Sequence, residues 1–426
     1  MTELLEKYFD RLWPICRSIT GNGLRESFRI LQEIIPLELL EIPSGTQVHD
    51  WTVPREWNIR DAYILTPSGE KVGDFRRNNL HVVNYSAPVS QKISYQELSA
   101  HIHTLPHKPE AIPYITSYYN ERWGFCLPHQ QWTSLPQEGE YEVVIDSELS
   151  EGSMTIGHLL LKGRSDREIL LSSYLCHPSM ANNELSGPLA LAFLYTRIAA
   201  LENREYSYRF VFAPETIGVI AYLSMFGETM KQNTDAGFVL TCLGDSGNYN
   251  YKRSKLESSL ADQVAEHILK QGSDEYATRN FSVGGSDERQ YCSPGYNLPV
   301  GSLMRSVYHE FSEYHTSFDN KNFISFRHLE KSILKYMEIV EAFELNGVYK
   351  GLIQLGEPML GKHDMYPSSA SPEVNRAEVM RLMHFLTYAD GNTSLLETAV
   401  KMNCHISLFA NVVKMCLDKG LVKRES

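Results

Sequence analysis

Hydrophobic runs of strand length that each lead into a polar residue constrain the fold of this chain more than any other feature. One run stops just before His177 and a second just before Glu215. A third leads into Asp245, and a fourth leads towards His315. Because helix-like segments separate these runs, the pattern predicts a mixed or parallel α/β sheet. Such sheets bind ligands beyond the carboxyl ends of their strands, so we predict a site at that edge.

Length and composition set the class of protein. The chain has 426 residues, enough for two or three domains, and its 42% hydrophobic and 22% charged residues are typical of a globular protein. A net charge of −12 gives no overall attraction to nucleic acid or to an anionic membrane. No apolar run approaches the roughly 20 residues of a membrane span, and the acidic start does not resemble a signal peptide. We therefore expect a cytoplasmic protein.

Changes in sequence texture predict three domains. Residues 1–40 and 151–350 are predicted to form one α/β domain, because amphipathic helical segments open the chain and strand-like and helix-like runs alternate later. Residues 41–150 contain short alternating segments broken by Pro, Gly and Asn, which predicts a β-rich insertion. After a linker rich in Pro, Gly and Ser, residues 373–426 have the size of a winged-helix module.

The seven cysteines form no CxxC pair, so neither a disulfide framework nor a structural zinc knuckle is predicted. The segments after the strands suit a metal-dependent hydrolase better. His177 follows one strand and precedes a helix, although a lone histidine there is more often structural. Glu215 repeats this geometry and could carry a proton or simply complement the dipole of the following helix. Asp245 is either a ligand or a turn former.

Two further segments are rich in residues that bind metals or substrates. Residues 308–320 hold two histidines, His309 and His315, and three carboxylates that include Asp319. Their density is hard to explain by packing. A Gly-Gly-Ser loop is followed by two acids and an arginine. The arginine could pair with a substrate carboxylate, and the acids could hold a substrate ammonium. Alternatively, the three residues could form a surface ion-pair loop. These residues are Asp287, Glu288 and Arg289.

The order of these segments resembles the zinc-dependent aminopeptidase fold. More closely, the chain is similar to a bacterial aminopeptidase-like family with an inserted β domain and a C-terminal winged helix. The resemblance covers nearly the full length. It rests on the motifs Trp13-Pro14-Ile15-Cys16-Arg17-Ser18-Ile19-Thr20-Gly21, Asn78-Asn79-Leu80-His81, Cys176-His177-Pro178-Ser179, Pro214-Glu215-Thr216-Ile217-Gly218, Gly285-Ser286-Asp287-Glu288-Arg289-Gln290-Tyr291 and Glu313-Tyr314-His315-Thr316-Ser317.

This resemblance implies a zinc-exopeptidase-like mixed sheet flanked by helices. Carried over by position, His177 and Asp245 would bind one metal ion and His315 a second, with Glu215 as the general base. The implied zinc site then has one open position for a water of lowered pKa.

Two positions depart from the pattern of the aminopeptidases. Asn183 stands where they place a bridging Asp, and Thr216 stands where the second Glu of a pair binds metal. An amide and a hydroxyl are weaker zinc ligands than carboxylates, so we expect one zinc ion, held by His177, Asp245 and His315, rather than two, with Glu215 as an alternative ligand. Four further residues could bind the metal ion or form hydrogen bonds to its ligands: Asn183, Thr216, His309 and Asp319.

The resemblance implies a zinc-dependent hydrolase of amide bonds that acts on small peptides or aminoacyl conjugates. One alternative is a catalytically reduced protein that keeps the pocket for ligand binding or regulation, which Asn183 and Thr216 favour. Another is a single-zinc acyl transferase or cyclotransferase. The positive bias of the C-terminal module is modest, so we expect it to mediate protein contact or homo-oligomerisation rather than DNA binding.

Overall fold

A computed structural model describes residues 1–363, 365 and 372–425, without the side chains of residues 372–375. The helices are α1 Thr2–Leu12, α2 Asn22–Leu31, α3 Tyr95–Ser99, α4 His129–Thr133, α5 Ser186–Ala199, α6 Ile217–Asn233, α7 Leu260–Gln271, α8 Glu288–Tyr291, α9 Phe326–Leu345, α10 Pro372–Tyr388, α11 Leu395–Lys401 and α12 Ala410–Asp418.

The strands belong to one large sheet and several smaller ones. They are β1 Glu38–Pro43, β2 Gln47–Val48, β3 Trp51–Thr52, β4 Glu56–Leu65, β5 Lys71–Val72, β6 Val89–Ser94, β7 Ile102–His103, β8 Phe125–Cys126, β9 Glu140–Ser150, β10 Ser153–Leu161, β11 Glu168–Tyr174, β12 Ser207–Ala213, β13 Thr234–Val239, β14 Tyr249–Lys252, β15 Tyr276–Arg279, β16 Val300–Met304, β17 Val348–Gly351, β18 Asp390–Ser394 and β19 Val422–Arg424.

The large sheet has eight strands in the order β1-β10-β12-β11-β13-β16-β14-β15. Its centre is parallel, because β11 pairs in parallel with β12 and β13, and β13 with β16. Antiparallel pairs extend it on both sides, from β12 through β10 to β1 and from β16 to β14. This mixed α/β sheet confirms the predicted fold class. The parallel centre brings the ends of β11 and β12 to one edge.

Helices cover both faces of the large sheet. Along β11, Ile169 and Leu171 join a core that includes α1, α5, α7 and α9, whereas Leu170 joins a second core with α6 and α8. Successive side chains of a strand point to opposite faces, so a strand covered on both sides must be apolar throughout. This burial explains the uninterrupted hydrophobic runs of the central strands.

Residues of the predicted insertion form a separate four-stranded antiparallel sheet in the order β5-β4-β9-β6. This sheet has its own apolar core, which contains Ile64, Tyr141 and Val143. The predicted boundary at residue 40 falls inside β1, which pairs with β10 of the large sheet. The insertion as an independent domain therefore stays a prediction, and β1 shows that the large sheet reaches beyond that boundary.

The C-terminal part has a three-stranded sheet in the order β18-β17-β19 together with α10, α11 and α12, and it confirms the predicted winged helix. A buried hydrogen bond connects it to the α/β part, since the backbone N–H of Ile406 donates to Nε2 of His267 on α7 at 3.1 Å. Among the helices of the described residues, none is both long and apolar enough to cross a membrane.

The contact between His267 and Ile406 requires a neutral imidazole, because the accepting nitrogen must keep its lone pair. Burial, with the nearby His405 and Lys270, lowers the pKa of His267 to about 4. An unfolded histidine titrates near 6.5, so the unfolded chain binds more protons between pH 6.5 and 4. The contribution of His267 to stability is therefore complete above pH 6.5 and is lost as the pH falls towards 4.

We predict that His267→Gln, which keeps an acceptor but cannot titrate, reduces the loss of stability between pH 7 and pH 5 by about 1–2 kcal/mol. Urea unfolding of wild type and variant at both pH values measures this difference. His107→Gln, at an exposed histidine, is the matched control and should follow the wild type. A loss in His267→Gln equal to that of the wild type would contradict the assignment.

Candidate functional site

The ends of the two central strands open into a pocket. His177 lies three residues after β11, and Glu215 lies two residues after β12, immediately before α6. Both line a cavity of about 530 Å³. Its lining comprises Trp51, Tyr114, Ile115, Thr116, Tyr118, Tyr119, Cys176, His177, Glu215, Thr216, Arg289 and His315. The structure therefore brings together three of the predicted site residues, His177, Glu215 and His315, with Arg289 and Thr216.

His177 is oriented by a carboxylate behind it. Its Nδ1 lies 3.0 Å from Oε2 of Glu184 and 3.3 Å from Sγ of Cys176, while its Nε2 lies 3.7 Å from Oε2 of Glu215. Burial opposes a charge on the ring, yet Cys176 and Glu184 outweigh it and raise the pKa of His177. A carboxylate on Nδ1 fixes the ring orientation and leaves Nε2 directed towards the neighbouring group, as in many metal-binding histidines.

Glu184 is itself held by a buried arginine. Arg17 lies 3.8 Å from Oε1 of Glu184, and both side chains are 0% exposed. Arg17 also donates to the carbonyls of His177 and Leu12, at 3.2 and 2.7 Å. Glu184 belongs to a single π-helical turn, Ala181–Leu185, that leads into α5; such turns are frequent at functional sites. The site thus contains a continuous chain from Arg17 through Glu184 to His177.

Glu215 is the carboxylate of the described pocket lining, and solvent can reach it. Its side chain is 28% exposed, and its Oε1 accepts a hydrogen bond from the hydroxyl of Ser286 at 2.9 Å. Burial raises the pKa of Glu215, although His177 and Ser286 oppose this change. The raised pKa brings this carboxyl closer to the range in which a group both accepts and returns a proton at neutral pH.

His315 faces the same pocket from the loop before α9. Its ring stacks on Tyr314, meets the edge of Tyr114, and lies 5.6 Å from the ring of His177 between centroids. Nε2 is shielded from solvent and has no hydrogen-bond partner among the described residues. Burial, with His177 and His309, lowers the pKa of His315. A neutral imidazole with an unpaired buried nitrogen is suited to bind a metal ion.

Two groups of side chains could hold a metal ion. Cys176, His177 and Glu184 offer ligand atoms within 4.8 Å of one another. Both oxygens of Glu184 lack a hydrogen-bond partner among the described residues, but the positive charge of Arg17, 3.8 Å away, opposes a further cation there. The imidazoles of His177 and His315 line the open pocket instead, and the unpaired Nε2 of His315 fits a metal there. We therefore favour this pair, with Glu215 beside it.

The structure does not bring Asp245 to this pocket, contrary to the ligand set that the resemblance implied. Both of its oxygens accept hydrogen bonds, from the side chains of Asn182 and Ser306 and from the backbone N–H groups of Ser306 and Gly247. Asp319 is used similarly, since its two oxygens accept the N–H groups of Asn182 and Asn183. These two carboxylates hold backbone loops rather than facing the pocket.

Asn183 donates its side-chain amide to the hydroxyl of Tyr174 at 2.7 Å, and its Oδ1 is buried without a partner among the described residues. Thr216 lines the pocket at the N-terminus of α6 with a positive φ of 66°, a strained conformation for a β-branched residue. His309 is exposed and packs on Tyr314. None of these three has a described contact with His177 or Glu215.

The charged loop before α8 divides into structural and accessible residues. Asp287 is buried and accepts the backbone N–H of Thr216 at 2.7 Å, which holds the turn that carries Glu215. Glu288 is buried and forms an ion pair with Lys252 at 2.5 Å while accepting from Tyr308. Only Arg289 is exposed and lines the pocket. The predicted substrate-binding role thus has structural support at Arg289 and not at the two acids.

Several residues around the site have a left-handed backbone conformation. Non-glycine residues with positive φ include Ser179, Thr216, Cys242 and His315, each in a loop that follows or faces the central strands. Such conformations cost free energy and persist where surrounding contacts impose them, often at functional sites. The strain supports the view that these loops are held in fixed positions.

The sequence did not predict the pair of Arg17 and Glu184, which lies behind His177, or the aromatic side chains that line the pocket. Glu184 stands directly after Asn183, and Arg17 stands in the first of the quoted motifs, but nothing in the sequence indicates that these two residues, 167 positions apart, meet. A carboxylate within an otherwise uncharged, buried segment was the available signal for Glu184. The aromatic side chains Trp51, Tyr114 and Tyr119 of the pocket lining come from the predicted insertion.

Comparisons with known proteins agree with this architecture. Residues 6–346 match the family model described as a domain of unknown function, DUF4910, and residues 347–424 match a winged helix-turn-helix model. A Clostridium acetobutylicum protein, named as a polysaccharide biosynthesis protein with an aminopeptidase-like domain, is 46% identical over 92% of this chain and 89% of its own length.

Two solved structures extend the comparison. The crystal structure of a protein from Clostridium acetobutylicum, described as a peptidase, has a TM-score of 0.92 at 42% identity and covers 100% of this chain and 96% of its own. A zinc aminopeptidase from Bacillus subtilis has a TM-score of 0.57 at 12% identity and covers 80% of this chain and 93% of its own. At that identity the second likeness concerns the fold alone.

We predict that Glu184→Gln lowers the free energy of unfolding by about 3–5 kcal/mol, because it leaves the buried guanidinium of Arg17 without its carboxylate. Urea unfolding of Glu184→Gln, Arg17→Met and the double variant forms a mutant cycle. The double variant should be less destabilised than the sum of the single variants. Additive losses would contradict a direct interaction between Arg17 and Glu184.

Proposed function

Because the chain belongs to the DUF4910 family and has an aminopeptidase-like fold, we propose that it hydrolyses amide bonds in small peptides or aminoacyl conjugates with the help of one zinc ion. The observation that carries the proposal is the position of Glu215. It is a partly exposed carboxylate with a raised pKa, 3.7 Å from Nε2 of His177, in the pocket that His315 also lines.

His177 and His315 would hold the zinc ion through their ring nitrogens. The chemistry that zinc supplies when bound there is Lewis-acid polarisation of the amide carbonyl. The two imidazoles fit one ion rather than two, because Asp245 and Asp319 are occupied by backbone and side-chain donors. Glu184 keeps the ring of His177 in place from the opposite side.

Glu215 would carry the proton of the reaction. It accepts a proton from the attacking water as the water oxygen bonds to the amide carbon, and it returns that proton to the leaving nitrogen as the C–N bond breaks. The hydroxyl of Ser286 holds one oxygen of this carboxylate and leaves the other directed towards His177. The surrounding tyrosines, above all the buried Tyr114, limit access of bulk water.

A ligand-binding or regulatory protein on the same fold is the second candidate function. The observation that favours it is the reduced set of ligands, since Asn183 and Thr216 replace two carboxylates and Asp245 does not reach the pocket. Two imidazoles bind zinc more weakly than a complete set of three or four protein ligands. Zinc binding and turnover separate the two functions.

We predict that the purified protein supplied with zinc retains about one equivalent, and that His177→Ala and His315→Ala lose it while remaining folded. Plasma mass spectrometry measures the zinc, and circular dichroism checks the fold. His107→Ala, at an exposed histidine remote from the pocket lining, is the matched control and should retain zinc. Failure of the wild type to take up zinc would favour the ligand-binding function.

Glu215→Gln tests the proton step separately. It should retain zinc, because the imidazoles are untouched, and lose at least about a hundredfold in turnover of aminoacyl amides, as expected for a general base. Release of the free amine, followed by chromatography, measures turnover. Undiminished turnover in this variant would rule out the role of Glu215.

A further inference from the structure

We propose that the pocket selects compounds whose α-nitrogen is acylated and which carry a free carboxylate, and that it discriminates against compounds with a free α-amine. The inference rests on the proposed function in placing the scissile amide beside Glu215. It differs from aminopeptidase specificity, which requires recognition of a free amine. Three features of the pocket support it: its lack of a spare carboxylate, its accessible arginine and its aromatic wall.

A free ammonium group needs an anionic partner when it leaves water. Among the described residues that line the pocket, Glu215 is the only carboxylate. The nearby Glu184 is fully buried and already faces Arg17 and His177. If Glu215 is occupied in proton transfer, no second acid remains to hold an ammonium, and the cations nearby would repel it.

Other acids close to the site are also committed to internal contacts. Asp287 is 1% exposed and accepts the N–H of Thr216 with Oδ1, and Glu288 forms an ion pair with Lys252. The second oxygen of each acid has no partner among the described residues, but it is shielded from solvent and so from a ligand. Asp319 is fully buried beneath the backbone of Asn182 and Asn183. An amide nitrogen, which is neutral, places no such demand on the pocket. Because these acids are not available to hold an ammonium, the pocket favours a ligand whose α-nitrogen is acylated.

Arg289 supplies the opposite charge. Its guanidinium is exposed, lines the pocket and makes no hydrogen bond or ion pair with the part of the chain that the structure describes. The planar guanidinium binds a carboxylate through two parallel hydrogen bonds. Among the described residues of the lining, Arg289 is the side chain with a permanent positive charge, so a carboxylate on the ligand would be drawn to this side of the pocket.

The aromatic wall accounts for the rest of the ligand. Trp51 and Tyr119 meet edge to face at 5.4 Å between ring centroids and remain 37% and 47% exposed. Contiguous exposed apolar patches often mark binding sites, and here Tyr119 also packs against Tyr118, so that the three rings form one continuous surface at the pocket. They offer an apolar face for a ring-bearing side chain, which makes an N-acylated aromatic amino acid a suitable probe.

The test measures equilibrium binding to the Glu215→Gln variant, in which no turnover interferes, and for L-phenylalanine also to the wild type, because this ligand has no amide bond to cleave and Glu215 is the carboxylate of the described lining that could hold its ammonium. Three ligands are compared by titration calorimetry: N-acetyl-L-phenylalanine, its C-terminal amide and L-phenylalanine. The first should bind at least about tenfold more tightly than either of the others. It alone combines the carboxylate for Arg289 with a neutral nitrogen beside the site.

Arg289→Gln, introduced into the same background, should reduce the preference for the acid over its amide to less than about twofold. Arg29→Gln is the matched control, because Arg29 is an exposed arginine on α2 outside the pocket lining. It should leave the preference unchanged. Equal or tighter binding of L-phenylalanine, or an unchanged preference in Arg289→Gln, would overturn the inference.

The outcomes separate this inference from the proposed function. The binding preference requires no catalysis, so a preference without turnover in the wild type would refute the hydrolase and keep the ligand class. Hydrolysis of amides without the preference would keep the hydrolase and refute the ligand class.

Discussion

The buried contact of Arg17, Glu184 and His177 is the interaction on which the rest of the site depends. Two charged side chains that are 0% exposed cannot be stable apart, because each would lose its hydration without compensation. The pairing therefore fixes the loop after α1 against the turn before α5. Arg17 also donates to the carbonyl of His177, so the same side chain holds both the backbone and, through Glu184, the ring of that histidine. The orientation of Nε2 towards Glu215 follows from this arrangement.

The second constraint is that residues from the predicted insertion form the wall of the pocket opposite the sheet. The N–H of Tyr114 donates to the carbonyl of His315 at 2.9 Å, and the N–H of Ser317 donates to the carbonyl of Ile112. These bonds join the segment around Tyr114 to the loop that presents His315, so the aromatic wall and the imidazole keep a fixed relation. Ligand specificity and chemistry thus reside on different segments that the backbone holds together.

The sequence predicted the mixed sheet, the winged helix and the strand ends that carry His177 and Glu215, because continuous apolar runs record burial on both faces. It could not predict which acids face the pocket. Asp245 and Glu184 both occur in loops after or between central elements, yet Asp245 satisfies backbone donors whereas Glu184 meets an arginine 167 positions earlier in the chain. Such pairings depend on tertiary contacts between distant segments, which periodicity and local motifs do not encode. For the same reason, the sequence did not decide whether Asp287 and Glu288 bind a substrate or form contacts within the protein.

The committed acids also explain how an aminopeptidase-like fold can persist with a reduced set of metal ligands. A carboxylate near a metal site normally has its charge offset by the ion. Here part of that compensation comes from the protein: Arg17 lies 3.8 Å from Glu184, Lys252 pairs with one oxygen of Glu288, and backbone N–H groups donate to Asp319. Both oxygens of Glu184 nevertheless lack a hydrogen-bond partner among the described residues. The groups of the described pocket lining that remain available to external partners are Glu215, the two imidazoles and Arg289, and the proposed chemistry and the proposed ligand depend on these groups.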